Sequence, residues 1–401
     1  MEDIVIVEPD FLNQFQCVGS ACIDHCCKGW DIELDEPTVT RYMTSENIEI
    51  RHIAADNIIT TQASHASWGH IQRQSNVNCS FLDGDRLCKV HKYLGEKALS
   101  TTCALYPRIY SSHKYEIRSN LTLSCPEAAR LLLTTPNAML YSEKIKQSPV
   151  ALDFPDVSQE DRLLNLMCSH IMNNCGAEIE EGLYGIIKLL QYREGMSEAE
   201  GFVEKLMIHF EVVQQEITEG AVKRYIDELT ADYQLQSNLL LHLQKHLGTK
   251  KEGRGANILL NYARKLNLLH DNEDSEADYA VQSFQRLNII WYEKAAPWLR
   301  ERHYLLSNYM QYRIYEDFFP LKNGRDPLSN LLFLLSEWFL LKWLITASVE
   351  LNSNMEEADV INIIYSYHSV TRHDKNAEDL LLAEVNKSKF SNDPNFFCIL
   401  K

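Results

Sequence analysis

The distribution of cysteine is the feature of this chain that most constrains how it folds. The 401 residues contain 11 cysteines, and eight of these fall within the first 125 residues. The eight are Cys17, Cys22, Cys26, Cys27, Cys79, Cys88, Cys103 and Cys125. Thiols that serve only as small core residues would be spread more evenly. We therefore predict that the N-terminal third of the chain is organised around metal ligation or disulfides.

The first ten residues bear on which of these two chemistries applies. They contain no basic segment, and their apolar run, residues 4–7, is flanked by acidic residues. This pattern does not match a secretory signal, so we expect a cytoplasmic protein. Cytoplasmic thiols stay reduced, which favours metal ligation over disulfides. We predict that all eight N-terminal cysteines belong to the metal-binding set.

Composition limits the choice of partners. Asp and Glu outnumber Lys and Arg by 56 to 39, which gives a net charge of −17. Because phosphate binding needs clustered Lys and Arg, we expect no nucleic-acid partner. The acidic balance is compatible with a lysine-rich target, although solubility explains it equally well. The apolar stretch 331–349 contains Glu337 and Lys342, which are costly inside a bilayer, so we predict a buried core helix and no membrane partner.

The pattern along the chain predicts two regions and a mainly α fold class. Residues 1–135 are cysteine-rich and mixed in pattern, which predicts a small α+β region that binds an iron–sulfur cluster or zinc. Residues 136–401 show apolar residues at helical spacing, which predicts an all-α helical domain. The predicted helical stretches are 163–172, 182–192, 199–217, 221–247, 258–269, 280–306 and 328–349, with breaks at 248–255 and 322–327.

One local pattern predicts how two of the cysteines are placed. The dipeptide Asp83-Gly84 is a strong signal for a two-residue hairpin turn. With that turn at the centre, Cys79 and Cys88 would face each other directly across the hairpin. Two thiols in such a register can share one metal ion or cluster.

Three further cysteines have informative neighbours. Cys125 precedes Pro126, which predicts a helix start whose dipole would stabilise a thiolate. Cys26 and Cys27 are adjacent, and adjacent side chains point in different directions, so both are not expected on one metal ion. Structural zinc sites typically use a Cys-x2-Cys pair, and this chain has none. The irregular spacing favours an iron–sulfur cluster assembled from several segments, with zinc as the alternative metal.

Signals for other chemistry are weak. The segment Gly253-Arg254-Gly255 is a charged break between predicted helices. It follows no predicted strand, so it is not a nucleotide-binding loop. His25, His91 and His113 can be ligands or bases, although a lone histidine is more often neither. No catalytic residue is predicted.

The motifs in combination resemble the flagellin lysine N-methylase family. The resemblance rests on Phe15-Gln-Cys17-Val-Gly-Ser-Ala-Cys22-Ile-Asp-His-Cys26-Cys27-Lys-Gly29-Trp30, on Cys79-x-Phe-Leu-x4-Leu-Cys88-x-Val-His91, and on Thr102-Cys103-x-Leu-Tyr106-Pro107-Arg108. The N-terminal part is also similar to a broader cysteine-rich group described as zinc- or iron-chelating. Asn308-Tyr309-x-x-Tyr312-x-Ile314-Tyr315-x-Asp317-Phe-Phe-Pro320 resembles the family's second motif, so the resemblance covers most of the chain.

The resemblance implies an S-adenosylmethionine-dependent enzyme that methylates the ε-amino groups of surface lysines on flagellin and uses a [4Fe–4S] cluster bound by N-terminal cysteines. Within this interpretation, Trp30, Tyr106, Arg108 and Tyr309 are candidates for binding the cofactor. Core packing or an ion pair is the competing explanation for these residues.

Two other function classes fit the residues. The first is a non-enzymatic zinc or iron–sulfur module whose helical domain binds a partner, and the second is a redox enzyme that uses a cluster for electron transfer. Methyl transfer to flagellin would separate the methylase from both. The sequence does not decide which four cysteines hold a cluster, whether there are two centres, whether transfer is polar or radical, or the oligomeric state.

Overall fold

The computed structural model describes residues 2–29, 32–72, 78–196, 201–249, 253–270, 277–321, 324–372, 376–387 and 393–401. An N-terminal α+β part with two small sheets is followed by a largely helical C-terminal part. This architecture confirms the predicted fold class. The division into domains at residues 135 and 136 stays a prediction.

The strands of the described chain form two sheets. They are β1 (Glu2–Pro9), β2 (Ile32–Leu34), β3 (Ile58–Thr60), β4 (Gly69–Ile71), β5 (Arg108–His113), β6 (Glu116–Leu121) and β7 (Tyr141–Ser148). The larger sheet has the order β5-β6-β1-β7, with β1 parallel to β6 and antiparallel to β7. Ile6 of β1 lies opposite Ile117 and Lys144 in this register. The smaller sheet, β2-β4-β3, is antiparallel throughout.

Every described helix of 11 residues or more follows β7. The helices of the N-terminal part are α1 (Asp10–Asn13), α2 (Glu36–Met43), α3 (Ile48–Asn57), α4 (Lys89–Leu94), α5 (Thr101–Leu105) and α6 (Pro126–Thr134). The next are α7 (Gln159–Cys175), α8 (Ile179–Glu194), α9 (Phe202–Thr218), α10 (Ala221–Glu228), α11 (Tyr233–Gly248) and α12 (Ala256–Leu269). The last are α13 (Ala277–Ile290), α14 (Ala296–Arg300), α15 (Tyr304–Glu316), α16 (Pro327–Leu351), α17 (Glu357–Thr371) and α18 (Ala377–Lys387).

Two stretches predicted as continuous helices are interrupted. Stretch 221–247 divides into α10 and α11, because Leu229 is extended and the Asp232 side chain caps α11 by accepting from the Leu235 amide at 2.9 Å. Stretch 280–306 passes through a π-helical segment, Trp291–Ala295, before α14. Pro297 at the start of α14 explains this break, since proline removes one helical N–H and its ring crowds the preceding turn. Residues 199–200, 250–252 and 322–323, which the predicted stretches and breaks include, lie outside the described residues.

Helix α16 is the apolar centre of the helical part. By length and composition it is the one described helix that can cross a membrane, but 94% of its apolar window is buried inside the protein. Its two charged side chains near the middle are paired. Arg313 Nε lies 2.6 Å from Glu337, and Lys342 Nζ lies 3.1 Å from Glu180 and 4.7 Å from the Trp291 ring. The predicted core helix is therefore confirmed.

One large hydrophobic core joins the larger sheet, α6 and the long C-terminal helices. Polar side chains of α15 cross this core and bind main-chain carbonyls of the N-terminal part. The donor–acceptor pairs are Asn308 Nδ2 to Leu132 O at 2.8 Å, Tyr312 Oη to Leu121 O at 3.0 Å and Tyr315 Oη to Val7 O at 2.9 Å. Because an unpaired buried carbonyl is costly, these bonds fix how the sheet sits on the helices.

A second, smaller core lies beneath the β2-β4-β3 sheet. It is formed by residues of that sheet, of α2 and α3, and by Phe81 and Val90. Cys79, Cys88 and Cys103 pack against its edge. Three of the predicted metal ligands thus come from a unit with its own hydrophobic support.

The ion pairs of Arg313 lead to a test of the helical core. This side chain is 1% exposed, and besides Glu337 it meets Asp317, with Nη1 to Oδ2 at 2.7 Å. Arg313→Met leaves the buried Glu337 without its cation, whereas Asp317 keeps its pair with Arg372, so we expect a loss of about 3–5 kcal/mol in the free energy of unfolding. Lys294→Met breaks an exposed pair with Glu350 and is expected to cost at most about 1 kcal/mol. Urea denaturation of both variants measures the difference, and equal losses would contradict the assigned role of Arg313.

Candidate functional site

One loop, residues 17–29, carries Cys17, Cys22, Cys26 and Cys27, and we call it the cysteine loop. The loop has a short 3-10 turn, Gly19–Ala21, and little other regular structure. Its end is tied to the segment carrying Cys79, because the Cys79 amide donates to Cys27 O at 2.8 Å and Lys28 bridges to Asn78. Cys17 is exposed, whereas Cys22, Cys26 and Cys27 are half-buried.

The hairpin register predicted around Asp83-Gly84 is wrong. The bridge pairs Leu82 with Cys88, not Cys79 with Cys88. The Asp83 carboxylate accepts from the amides of Asp85 at 3.0 Å and Leu87 at 2.8 Å, and this widens the turn. Arg86, not Gly84, adopts positive φ at 65°. Asp forms such local bonds readily, and here they override the two-residue turn.

Five of the predicted ligands nevertheless form one group, which we call the first thiol group. It consists of Cys26, Cys27, Cys79, Cys88 and Cys103. Burial, together with neighbouring thiolates of the group, raises the pKa of Cys79 to about 12 and that of Cys103 to about 11. Such mutual repulsion is relieved when a cation binds between the sulfurs, because metal ligation deprotonates thiols.

The adjacent pair in this group is electrostatically unequal. The Cys27 thiol donates a hydrogen bond to Cys26, and together with the nearby Arg254 guanidinium this lowers the pKa of Cys26 to about 6 against the effect of burial. The same bond raises the pKa of Cys27. The pair therefore presents one thiolate and one thiol at neutral pH.

The remaining three predicted ligands, Cys17, Cys22 and Cys125, form a second thiol group, in which Cys22 interacts electrostatically with both of the others. The pKa of Cys22 is raised by burial, with Cys17 and Cys26 acting in the same direction. Cys125 caps the N-terminus of α6, as the sequence predicts. Amides of Glu127 and Ala128 favour its thiolate, but burial is the larger effect and raises the pKa of Cys125 to about 11.

The candidate cofactor residues are not brought together at one place. The Tyr106 hydroxyl accepts from Arg254 Nη1 at 2.5 Å, beside the second thiol group. The Arg108 guanidinium lies 5.7 Å from the Phe15 ring. Tyr309 is fully buried and donates its hydroxyl to Glu337, with His368 3.1 Å away. Trp30 lies outside the described residues, and the roles of all four residues stay predictions.

The histidines singled out in the sequence lie at different places. His91 lies within α4. His25 in the cysteine loop has its pKa lowered by burial and by the cations Lys28 and Arg86. His113 ends β5 next to Phe318, and burial lowers its pKa too. His25 alone among these three directly precedes a predicted metal ligand.

Two residues of the site were not predicted. Asp24 is 2% exposed within the cysteine loop, and Arg254 reaches it from the turn before α12. The glycines on both sides of Arg254 were the available signal, since they mark a turn. Its approach to a loop some 230 positions earlier in the chain depends on the tertiary fold.

Among the described residues, no group of three or more His, Cys, Asp or Glu side chains is arranged to hold a single metal ion. Thiols from three segments do supply the donor chemistry that an iron–sulfur cluster requires. The thiols of the first group also carry the mutual repulsion that a bound cation would relieve. The donor set therefore fits the implied cluster chemically.

Comparison with known proteins gives consistent similarities. A family model described as the FliB lysine N-methylase C-terminal domain matches residues 165–399. The chain is 33% identical over 379 residues to the lysine-N-methylase of Salmonella typhimurium strain LT2, a match that covers 93% of each chain. It is 49% identical over 145 residues to the flagellar biosynthetic protein FliU of Salmonella muenchen, covering 36% of this chain and 86% of FliU. No solved structure matches the chain.

The unequal thiols of the first group lead to a test. In protein freed of metal, we expect iodoacetamide to modify Cys26 increasingly from about pH 6 upward, since the thiolate is the nucleophile. Cys79 and Cys103, whose pKa values are about 12 and about 11, are internal controls and should react slowly at pH 7. Mass spectrometry of the peptides across pH 5–9 gives the three profiles, and identical profiles would refute the inequality.

Proposed function

The chain belongs to the FliB lysine N-methylase family and is a lysine N-methylase, and from this premise we propose that it methylates surface lysines of flagellin with S-adenosylmethionine as the methyl donor. The observation that carries the proposal is the match to a lysine-N-methylase over 93% of both chains. The similarity to a protein named for flagellar biosynthesis supports a flagellar substrate. Family membership decides against a non-enzymatic binding module.

We propose the cytoplasm as the site of the reaction. All 11 cysteines are free thiols in the structure, as a reducing compartment requires. The net charge of −17 attracts a lysine-bearing protein and repels nucleic acid, in accord with a protein substrate.

The proposed cofactor is a [4Fe–4S] cluster held by the first thiol group. Cys79, Cys88 and Cys103 would supply three ligands from the unit around the smaller core, and the Cys26/Cys27 pair would supply the fourth. The single thiolate of that pair agrees with one ligand coming from two adjacent residues. Held by four thiolates, a bound cluster would supply redox-active iron with no open position for a further ligand.

Methyl transfer sets a requirement on the surroundings of the target lysine. The pKa of a lysine ε-amino group is near 10.4, so the group must lose a proton before its nitrogen can attack the sulfonium methyl. The new N–C bond then forms as the C–S bond breaks, and S-adenosylhomocysteine leaves. Nearby cations favour the neutral amine. Lys28, Arg86 and Arg254 act in this direction on His25 in the cysteine loop, and Asp24 opposes them.

The function is tested by transfer of labelled methyl from S-adenosylmethionine to purified flagellin. We expect the wild-type enzyme to label lysines, and Cys88→Ser, which removes one proposed cluster ligand, to lose at least about tenfold of this activity. Cys398→Ser is the matched control, because this half-buried thiol lies in the C-terminal 3-10 helix and should leave activity unchanged.

Each result has a distinct meaning. No labelling of flagellin by the wild-type enzyme, with labelling of another protein, would overturn the proposed substrate. Full activity of Cys88→Ser would overturn the assignment of the first thiol group to the cofactor while leaving the methylase intact.

A further inference from the structure

The turn Gly253-Arg254-Gly255 connects the helical part to the cysteine loop. It precedes α12 in the helical part, and its two glycines adopt φ of 106° and 75°. Between them Arg254 is 8% exposed. A buried arginine is retained only where its donors and its charge are satisfied.

Arg254 is satisfied almost entirely by the N-terminal part. Its Nη2 donates to Asp24 O at 2.9 Å, and its Nη1 donates to Tyr106 Oη at 2.5 Å. Its Nε lies 3.5 Å from Asp24 Oδ2, and Lys28 Nζ lies 2.5 Å from the other carboxylate oxygen. Arg254, from the helical part, therefore binds both the middle of the cysteine loop and Tyr106, the residue that follows α5.

Two glycines allow this close approach. Gly29 has φ of 81°, and a Cβ built there would lie 2.8 Å from Arg254 N. A Cβ at Gly255 would lie 3.0 Å from Ser369 Cβ and 3.1 Å from Ser366 Cα in α17. The turn is thus confined between the cysteine loop on one side and α17 on the other, which leaves Arg254 little freedom to move.

The charge of Arg254 lies beside the cysteine loop, because its two contacts with Asp24 place it at the residue between Cys22 and Cys26. Its guanidinium favours the thiolates of Cys22, Cys26 and Cys125. These three cysteines come from two segments of the chain. Thiolate ligands accumulate negative charge in a half-buried site, and a fixed cation beside them offsets it.

We propose that Arg254 is a positioning residue of the methylase, which anchors the cysteine loop to the helical part and supplies the cation that balances its thiolate ligands. The anchoring follows from the contacts alone, whereas the charge balance rests on the proposed cluster. Lysine at this position would keep the charge but lose the planar set of donors that spans Asp24 and Tyr106.

The test compares Arg254→Met and Arg254→Lys in full-length protein purified without oxygen. Arg264→Met is the matched control, because that arginine is exposed on α12. The first readout is amide hydrogen exchange in residues 22–29. We expect both Arg254 variants to exchange about tenfold faster or more there, which corresponds to losing a hydrogen bond to a charged group.

The second readout is the midpoint reduction potential of the cluster, which a merely structural contact would not move selectively. Removing a cation disfavours the more negative reduced state, so Arg254→Met should shift the potential downward. Arg254→Lys should stay close to the wild-type potential despite its faster exchange. Arg264→Met should change neither quantity.

Unchanged exchange in Arg254→Met would overturn the anchoring, and equal potentials in the wild type and Arg254→Met would overturn the charge balance. If Arg254→Met does not fold, Gly29→Ala replaces it, because the added Cβ must displace Arg254, and unchanged exchange there would count against the proposal. A wild-type protein without a cluster would refute the proposed cofactor, while hydrogen exchange would still decide the anchoring.

Discussion

The buried hydrogen bonds from α15 to the main chain of the N-terminal part are the constraint on which the rest of the structure depends. Asn308, Tyr312 and Tyr315 enter a shared core and satisfy carbonyls of α6, β6 and β1. Tertiary bonds of this kind replace water on groups that would otherwise be unpaired. They decide the position of the segment from β5 to α6, and with it the positions of Tyr106 and Cys125.

The site follows from that placement. Once β6 and α6 are fixed on the helices, Cys125 lies beside Cys22, and the turn before α12 can insert Arg254 next to Tyr106. The unit around the smaller core brings Cys79, Cys88 and Cys103 next to the Cys26/Cys27 pair. The cysteine loop thus lies between two supports, one of which belongs to the helical part. This arrangement explains how a chain can assemble a site from distant cysteines without a local metal-binding motif.

The sequence predicted what depends on local pattern. Helical periodicity located α7, α8, α12 and α16, and the charges of α16 correctly indicated a core helix. Pro297 at the start of α14 and the Asp232 cap of α11 interrupted two longer stretches, because the missing N–H of a proline and a local cap outweighed the apolar period. The predicted hairpin register was wrong because the Asp83 carboxylate forms local hydrogen bonds that widen the turn. The predicted stabilisation of the Cys125 thiolate by the helix start is present, although burial outweighs it. Arg254 was missed because its partners are distant in sequence.

The most direct test of the proposed cofactor is the content of iron, acid-labile sulfide and zinc, with an absorption spectrum, in protein purified without oxygen. We predict about four irons and four sulfides per chain and a broad band in the blue. Stoichiometric zinc without sulfide would contradict it, since the first thiol group would then be a structural metal site in a lysine methylase whose chemistry lies elsewhere.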